Sequence, residues 1–359
     1  MTGQPFTNET SIAVEIMVKV SFKPKHITKK LLSVLPDRAR DVLTKRYGLG
    51  TDSDTQTLES IGQTYGITRE RVRQIENYGI TTIQKAEAYK ECEIAFEELR
   101  GAIQDLGGII TERELLTRLA KDESTQNHFF FILVIGSAFS KHKEDEHFTP
   151  RWSVSKESTH SIESALKKLH KNVNEDDLVP EAKLIAMLTE ALATESINAD
   201  DEETLKRWLA LSRVLGRNPL GEWGIATSSN VRAKGIRDFA YLAVKRHGSP
   251  MHFREVADAI QRLFDRKAHI ATCHNELIKD SRFVLVGRGL YALTEWGYTA
   301  GVVKDVLQEI IKKHGPLTRD EIIDKVRNER YVKDNTIVVN LQDTNIFKKL
   351  SDGSYALAE

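Results

Sequence analysis

Residues 56–76 read QTLESIGQTYGITRERVRQIE, and this stretch decides how the surrounding chain folds. Its apolar residues Leu58, Ile61 and Tyr65 recur at the spacing of one helix face. Gly66 follows directly, and glycine readily adopts the left-handed backbone conformation that a sharp reversal requires. The pattern therefore predicts a short helix that ends in a tight turn.

A second helix is predicted to begin after Thr68, whose hydroxyl can cap its first turn. Val72 and Ile75 lie on the buried side of this helix, and the polar residues of its first two turns share one patch. We call this patch the reading patch, and its members are Arg69, Glu70, Arg73 and Gln74. Arginine can bond guanine, glutamine can bond adenine and glutamate can accept from cytosine, so the patch predicts base reading in the major groove. The alternative is a charged helix face that meets only solvent.

Three neighbouring motifs resemble region four of housekeeping bacterial sigma factors: residues 35–43 (LPDRARDVL), 46–49 (RYGL) and 57–76. The resemblance covers residues 28–90 and implies a domain that reads the −35 promoter element and docks on the RNA polymerase flap. It also implies that the reading patch faces bases and that Arg71 lies toward the DNA backbone.

Two departures from the family pattern limit what the resemblance implies. After Gln74 the family continues with Ala, Leu and basic residues, whereas this chain has NYGI at 77–80 and only Lys85 and Lys90 as later basic residues of the segment. Fewer phosphate contacts are therefore expected beyond the reading patch. Because only about 27 residues precede the match, we do not expect the polymerase-clamp and promoter-melting regions of a complete sigma factor.

The composition is that of a folded, water-soluble protein. Of 359 residues, 40% are hydrophobic and 29% are charged, which predicts two or three domains, or more if the modules are small. No apolar run approaches a membrane span and no secretory signal is recognisable, so a cytoplasmic location is expected. Cys92 and Cys273 lie far apart, which supports neither a disulfide framework nor a cysteine zinc site. No cofactor, metal or small-molecule ligand is predicted.

Charge is distributed unevenly, although the formal net charge is zero. Residues 1–90 hold 14 Lys and Arg against 10 Asp and Glu, and residues 231–359 hold 22 against 17. Residues 91–150 hold 6 against 12, and residues 151–230 hold 10 against 13. The basic ends are therefore expected to contact DNA, and the acidic middle to meet protein or solvent.

Residues 1–27 are predicted to form an N-terminal extension. We expect residues 1–11 to be disordered. Apolar residues then alternate with polar ones over 12–22, which is the period of a strand, with a short helix as the alternative. A strand here would need a partner from this chain or from another protein.

From residue 91 the chain repeats one pattern. A helix leads to a turn that opens another helix, as at 108–114 (GIITERE), 248–255 (GSPMHFRE) and 315–321 (GPLTRDE). Each unit closes near an aromatic residue, and these four are Trp152, Trp223, Tyr291 and Tyr355. The nearly constant spacing of these four residues indicates repeated modules of three helices and a hairpin. The predicted fold class is therefore mainly α with small β-hairpin wings. Four tandem winged helices are predicted, over residues 91–158, 159–230, 231–299 and 300–359.

The third module also resembles a known family. Residues 247–260 (HGSPMHFREVADAI) and 281–297 (SRFVLVGRGLYALTEWG) are similar to the HARE-HTH winged helix. That domain occurs in the delta subunit of bacterial RNA polymerase and in some chromatin and restriction proteins. The resemblance covers residues 233–300, and the alternating residues 283–294 predict its hairpin, with Arg288 at the tip.

Surface cations of the last two modules are further candidates for phosphate contact, because wings and helix ends often position such folds on a duplex. Those of the third module are Arg262, Arg266, Lys267, Lys279, Arg282 and Arg288. In the fourth module the candidates are Arg327, Arg330 and Lys333, followed by a helix that holds Asn340 and Gln342. Ordinary surface charge uses the same residue types and is an equally weighted alternative.

Three other features are interpreted as structural. His269, Cys273 and His274 can share a helix face, but no fourth metal ligand accompanies them. The four closing aromatic residues are expected to fill the core beneath each hairpin. The apolar run 129–135 (FFFILVI) predicts a buried third helix, with a dimer contact as the alternative.

No catalytic motif is recognisable, so the chain is predicted not to be an enzyme. The leading hypothesis is a sequence-specific, transcription-associated regulator that binds double-stranded DNA and acts with bacterial RNA polymerase. One alternative is an interaction scaffold whose winged helices dock on polymerase. Another is a specificity component of a DNA-modification or defence system.

Overall fold

Gly66, in the left-handed conformation, ends the first helix of the predicted pair, and Thr68 caps the start of the second. In the computed structural model, the helix Leu58–Tyr65 ends at Gly66, which has a φ of +62°. The helix Arg69–Lys85 begins where the Thr68 hydroxyl accepts a hydrogen bond from the Arg71 amide at 3.2 Å. The predicted helix–turn–helix and its threonine cap are therefore confirmed.

The structure describes residues 17–197, 199, 201–299 and 301–358. The chain divides into two compact units, Met1–Gly216 and Arg217–Glu359, and it is mainly helical with small antiparallel sheets. In the described residues no helix combines the length and the apolar character that crossing a membrane needs. The helices of the first unit are α1 (Pro24–Leu32), α2 (Asp37–Tyr47), α3 (Leu58–Tyr65), α4 (Arg69–Lys85), α5 (Glu87–Lys90), α6 (Glu93–Asp105), α7 (Glu112–Leu119), α8 (Glu123–Ile135), α9 (Lys156–Lys171), α10 (Glu181–Ala193) and α11 (Glu202–Leu209).

A three-stranded antiparallel sheet lies in the first unit. Its strands are β1 (Ile109–Thr111), β2 (Ser140–His142) and β3 (Arg151–Ser153). The central strand is β3, which pairs with β1 on one side and β2 on the other. This register places Trp152 in the core, where its indole Nε1 donates to the Glu112 carboxylate at 2.9 Å.

Helix α8 joins the helix–turn–helix segment to the segment that follows it. Phe131 of α8 is fully buried, and its ring lies 5.2 Å from that of Tyr47 of α2 in an edge-to-face arrangement. One hydrophobic cluster contains both Leu43 of α2 and Trp152 of β3, with α8 among its members. Residues 129–135 therefore form the buried helix that the sequence predicts, and they are apolar on every side because both segments pack against them.

Part of the N-terminal prediction is wrong. Residues 17–20 form neither a strand nor a helix, although the alternation over 12–22 predicts one. Instead, Val18 donates one backbone hydrogen bond to the Arg118 carbonyl at 2.9 Å, and its side chain packs against the core of the first unit. An extended segment held by one such bond lacks the repeated pairing of a strand. Residues 1–16, including the predicted disordered stretch, lie outside the described residues.

The second predicted module contributes helices α9, α10 and α11 to the first unit. The last of these is attached to the turn before β1. Trp208 Nε1 donates to the Gly107 carbonyl at 3.2 Å, and Arg207 Nε donates to the Leu106 carbonyl at 3.0 Å. Helix α11 therefore packs close to residues about 100 positions earlier.

The second unit begins within strand β4. Two small sheets lie entirely inside it, one formed by β6, β8 and β7 and the other by β9 and β10. Its helices are α12 (Ile236–His247), α13 (Phe253–Phe264), α14 (Ile270–Lys279), a 3₁₀ turn (Thr294–Trp296), α15 (Val303–His314), α16 (Arg319–Glu329) and α17 (Asp334–Leu341). The strands, from the division between the units onward, are β4 (Leu215–Arg217), β5 (Trp223–Ile225), β6 (Met251–His252), β7 (Phe283–Gly287), β8 (Leu290–Leu293), β9 (Phe347–Lys349) and β10 (Tyr355–Leu357). Strands β7 and β8 form the predicted hairpin, with Arg288 in its turn.

Each predicted module contains helices followed by short strands. Of the four closing aromatic residues, Trp152, Trp223 and Tyr291 are buried, which confirms their interpretation as core residues, whereas Tyr355 is partly exposed. The winged-helix assignment of the four modules and their exact limits stay predictions.

Candidate nucleic-acid interface

The reading patch lies on the first two turns of α4 and faces solvent. All four of its side chains are exposed, whereas Val72, on the other side of the helix, is fully buried. Arg71 is exposed beside the patch, and Thr68 caps the helix below it. The sequence therefore brings together on one accessible surface the residue types that can bond base edges.

A small hydrophobic cluster beneath α4 fixes the direction in which the patch points. Val42 of α2, Ile61 of α3 and Val72 of α4 are fully buried against one another. Helix α3 also approaches the turn closely at Gly62, where a Cβ atom would lie 2.6 Å from the Ile67 carbonyl oxygen. The tight turn thus depends on the missing side chain at this position.

Two members of the reading patch pair with each other. Arg73 Nη2 and Nε donate to the two carboxylate oxygens of Glu70 at 2.7 and 2.9 Å. The hydrogen bond from Arg73 holds the pKa of the Glu70 carboxyl below its ordinary value, and the same bond raises the pKa of Arg73. Both side chains are 54% exposed, so water screens the pair and a base can replace either partner at small cost.

The neighbouring Arg71 and Gln74 form a second contact. Arg71 Nη1 donates to the Gln74 amide oxygen at 2.9 Å. Adenine reading uses both the oxygen and the nitrogen of a glutamine amide, so an adenine would compete with Arg71 for the Gln74 oxygen. Release would leave the Arg71 guanidinium available for a phosphate. For Arg69, no carboxylate of the described residues lies within ion-pair distance.

Sequence reasoning missed Glu76, which anchors α4 from its buried side. Its carboxylate accepts a hydrogen bond from the Tyr47 hydroxyl at 2.9 Å, and Arg46 Nε lies 3.5 Å away. Burial, together with the nearby Glu76 charge, raises the pKa of Tyr47, so the hydroxyl stays protonated and donates. The adjacent polar residues of the 46–49 motif could have indicated a contact with the following helices.

Asn127 of α8 is a second residue that the sequence did not reveal. Its side-chain amide donates to the Ser53 carbonyl at 2.8 Å and to the Gly48 carbonyl at 3.3 Å. These bonds hold the loop between α2 and α3, which carries the helix–turn–helix. The partners lie 74 and 79 positions apart in the chain, so no local pattern could have predicted them.

The candidate phosphate-contact residues of the third predicted module do not share one environment. Arg282 Nη2 lies 3.0 Å from Asp238 and 2.6 Å from Asp280, so its charge is already compensated. Arg266 lies 4.8 Å above an aromatic ring and is half-buried. The geometry favours a phosphate role least for Arg282 and most for the four exposed cations, which are Arg262, Lys267, Lys279 and Arg288.

Candidate residues of the fourth predicted module are similarly divided. Arg327 donates to both carboxylate oxygens of Asp334 at 3.1 and 2.8 Å, and Arg330 is buried. The Asn340 amide donates to a carbonyl of its own helix, whereas the side chain of Gln342 is exposed.

The His269, Cys273 and His274 group lies at the start of α14 and within it. Cys273 is buried, and burial raises the pKa of its thiol to about 11. His274 stacks on Phe253 with the ring centroids 4.2 Å apart. The described residues contain no group of three or more side chains arranged to hold a metal ion.

The helix–turn–helix segment is similar to a segment of known proteins. Residues 31–85 match the family model of sigma-70, region 4. The RNA polymerase sigma factor SigA of Nostoc sp. is 56% identical over 48 residues, and SigA1 of Synechococcus elongatus is 59% identical over 46 residues. Each match covers 13% of this chain and only 12% or 11% of the sigma factor.

These matches confirm the resemblance to sigma region four over residues 31–85. Region 4 is a DNA-binding helix–turn–helix of sigma factors, which supports a transcription-associated, DNA-binding role for this segment. The reading patch at the start of α4 lies within the matched residues.

Proposed function

We propose that this protein is a sequence-specific, transcription-associated DNA-binding regulator. Its reading patch would enter the major groove of a promoter-like element similar to the −35 hexamer. The observation that carries the proposal is the exposed patch on a capped helix, inside a segment that matches sigma-70 region 4. Binding here is non-catalytic, and the proposal includes no enzymatic activity.

Each patch residue has a distinct proposed role. Arg69 and Arg73 would bond guanine, Gln74 would bond adenine and Glu70 would accept from the amino group of cytosine. Arg71, once it leaves Gln74, would contact a phosphate and set the register of the helix on the duplex. The Thr68 cap and the cluster beneath α4 keep these side chains at the leading end of the helix.

Double-stranded DNA and RNA polymerase are the proposed partners. The two relatives named above are RNA polymerase sigma factors by name, and their likeness to this chain covers 48 and 46 residues. We further propose that residues 91–158, 159–230, 231–299 and 300–359 are winged helices, the third of the HARE-HTH type. The order of helices and short strands in these ranges supports that assignment.

An interaction scaffold is the second candidate for part of the molecule. In the first module the helix before the hairpin, α8, is buried and cannot enter a DNA groove. In the third module, Arg282 is compensated by two carboxylates. These observations favour structural or protein-binding roles for those two modules, with base reading confined to other surfaces.

Selection of bound sequences from a random duplex pool tests the leading proposal. The full chain should enrich a hexamer similar to the −35 element, and a chain carrying Arg73→Ala and Gln74→Ala should not. Retention of random DNA without enrichment by either chain would reject base reading.

Salt dependence separates the two candidates. A DNA binder loses affinity as salt rises, with a slope of about −0.9 per neutralised phosphate in a plot of log K against log salt. A scaffold without DNA contact would show no retention of duplex even at low salt.

A further inference from the structure

The four helices that precede a hairpin present different surfaces. Helix α8 is buried, and the first turn of α11 exposes the acidic pair Glu202 and Glu203. Helix α14 exposes two isoleucines, at 46% and 61%. Helix α14 also exposes one amide, that of Asn275, beside Ile278, whereas α17 presents two exposed amide side chains with a branched aliphatic residue between them.

This row consists of Asn335 and Val339 of α17 together with Gln342, the residue that caps the end of the helix, and we call it the α17 stripe. Spacings of four and then three residues place its members on one helix face. All three are exposed, Val339 by 63% of its surface. On the opposite side, Ile337 and Leu341 are buried in the local hydrophobic core. The packing therefore holds α17 in an orientation that leaves the stripe in solvent.

The chemistry of the α17 stripe matches A·T base pairs. Asparagine and glutamine amides bond the N6 and N7 edge of adenine bidentately, and aliphatic side chains contact the methyl group of thymine. Seven residues of helix span about 10 Å, which corresponds to about three base pairs along a duplex. A valine exposed between two amides has no evident role in solvent, whereas a thymine methyl would cover it.

Charges around the stripe favour a polyanion. The carboxylates nearest in the chain are already paired, Asp334 with Arg327 at 2.8 Å and Asp343 with Lys304 at 2.5 Å. Exposed lysines flank the stripe in the chain, and they are Lys333, Lys348 and Lys349. Within the described residues no carboxylate lies within 4 Å of the amino groups of these lysines. These lysines are therefore available to phosphates.

We propose that α17 is a second DNA-reading helix, which recognises A·T base pairs in the major groove while the adjoining lysines bind phosphates. Nothing in the match to sigma-70 region 4 assigns this site, because that match ends at residue 85. The site stands independently of the reading patch on α4.

The test uses the full chain with the reading patch silenced by Arg73→Ala and Gln74→Ala. Fluorescence anisotropy then compares an A·T-only duplex with a G·C-only duplex of the same length at low salt. We expect the A·T duplex to bind about tenfold more tightly. Adding Asn335→Ala and Gln342→Ala should remove that preference, and adding Lys348→Ala and Lys349→Ala should reduce the salt slope by about two.

Asn328→Ala is the matched control, because Asn328 is an exposed amide on the neighbouring helix α16. It should leave the A·T preference unchanged. The proposal is overturned if the silenced chain shows no A·T preference, or if the preference survives the two α17 substitutions. Binding of a protein partner that is lost with the same substitutions, without any DNA effect, would also overturn it. Failure of the reading patch itself is seen separately, when wild-type and silenced chains bind the selected promoter-like duplex equally.

Discussion

Gln74 offers the cleanest single-residue test of base reading, because its replacement changes no charge. Gln74→Ala should weaken binding to the selected duplex by about 1–3 kcal/mol and barely affect random DNA. Anisotropy titrations on both duplexes measure the difference. Gln261→Ala, an exposed glutamine on α13, is the control and should change neither affinity. Equal losses on selected and random DNA would mean that Gln74 reads no base.

The close approach at Gly62 gives a stability prediction. Gly62→Ala should destabilise the first unit by about 1–3 kcal/mol, because the new Cβ would meet the Ile67 carbonyl oxygen at 2.6 Å. Gly101→Ala is the matched change, since Gly101 lies within α6 with no atom within 4 Å of a Cβ. It should stabilise by about 0.5–1 kcal/mol. Urea unfolding followed by circular dichroism measures both, and a stabilising Gly62→Ala would contradict the clash.

At this scale the sequence predicted what depends on neighbours in the chain. Thr68 as a cap, Gly66 as a turn and the exposure of the reading patch all follow from spacing within one helix pair. The pairing of Arg73 with Glu70 also lies within reach of such reasoning, since residues three apart meet on a helix. Glu76 and Asn127 were missed because their partners come from other parts of the fold.

Among the elements, α8 should determine the stability of the helix–turn–helix. Phe131→Ala should cost about 3–5 kcal/mol, because the side chain is fully buried in the cluster shared by both segments. Hydrogen exchange of the α3 and α4 amides should accelerate along with that of α8. Tyr78→Ala, an aromatic residue of α4 that is 57% exposed, is the control and should leave exchange nearly unchanged. Unaltered exchange in α3 and α4 of the Phe131 variant would show that α8 does not support them.

A buried histidine of α9 should make stability depend on pH. His170 is 9% exposed, its Nε2 lies 2.8 Å from the Ser212 hydroxyl, and burial lowers its pKa to about 4. The unfolded chain protonates this group near pH 6.5, so between pH 6.5 and 4 the unfolded state binds more protons. The free energy of unfolding should therefore fall as pH drops through this window, by on the order of 2–3 kcal/mol for this group.

Urea-unfolding midpoints at pH 7 and pH 4.5 measure this effect. His170→Gln should reduce the difference between the two midpoints without abolishing it, because burial also lowers the pKa of His128 and His142. His160→Gln, at an exposed position of the same helix, should leave the difference as in the wild type. An undiminished difference in the His170 variant would assign the pH dependence to other groups.

Elements whose apolar residues recur regularly were predictable from the sequence. Segments that depend on a partner elsewhere in the chain were not. The hairpin of β7 and β8 has alternating residues on both sides of a glycine-rich turn, and it forms as predicted. Residues 17–20 belong to an alternation that Ala13 and Met17 interrupt, and they form no strand. The difference is the partner strand, since alternation describes which face is buried and says nothing about what lies beside the chain.

On the scale of the whole molecule, the shared core predicts where the chain can be cut. A fragment of residues 28–90 should fail to unfold cooperatively, because Leu31, Leu43 and Ile83 would lose the cover of α8. A fragment of residues 17–153 retains that cover and should unfold in one transition. Circular dichroism during urea titration compares the two, and a cooperatively folded 28–90 fragment would contradict the prediction.

The same core shows why the sequence did not predict which segments share one domain. Composition and repeats suggested a boundary near residue 90, because the pattern of the chain changes there. Residues on both sides of position 90 pack into one core, because helix α8 covers the apolar face of the helix–turn–helix segment. Which apolar faces meet is a property of the folded chain, and the run 129–135 indicated only that some such face had to exist.

The exposed Glu70 and Arg73 pair affects how the protein would search chromosomal DNA for its binding site. Because these two charges cancel each other, the pair adds nothing to the attraction of random duplex, which at this end of α4 comes from Arg69 and Arg71 alone. Dwell times on incorrect sites should then be short, and the search should proceed by frequent dissociation more than by long sliding. Only a site where a guanine bonds Arg73 and a cytosine bonds Glu70, in place of their bonds to each other, would hold the protein for long.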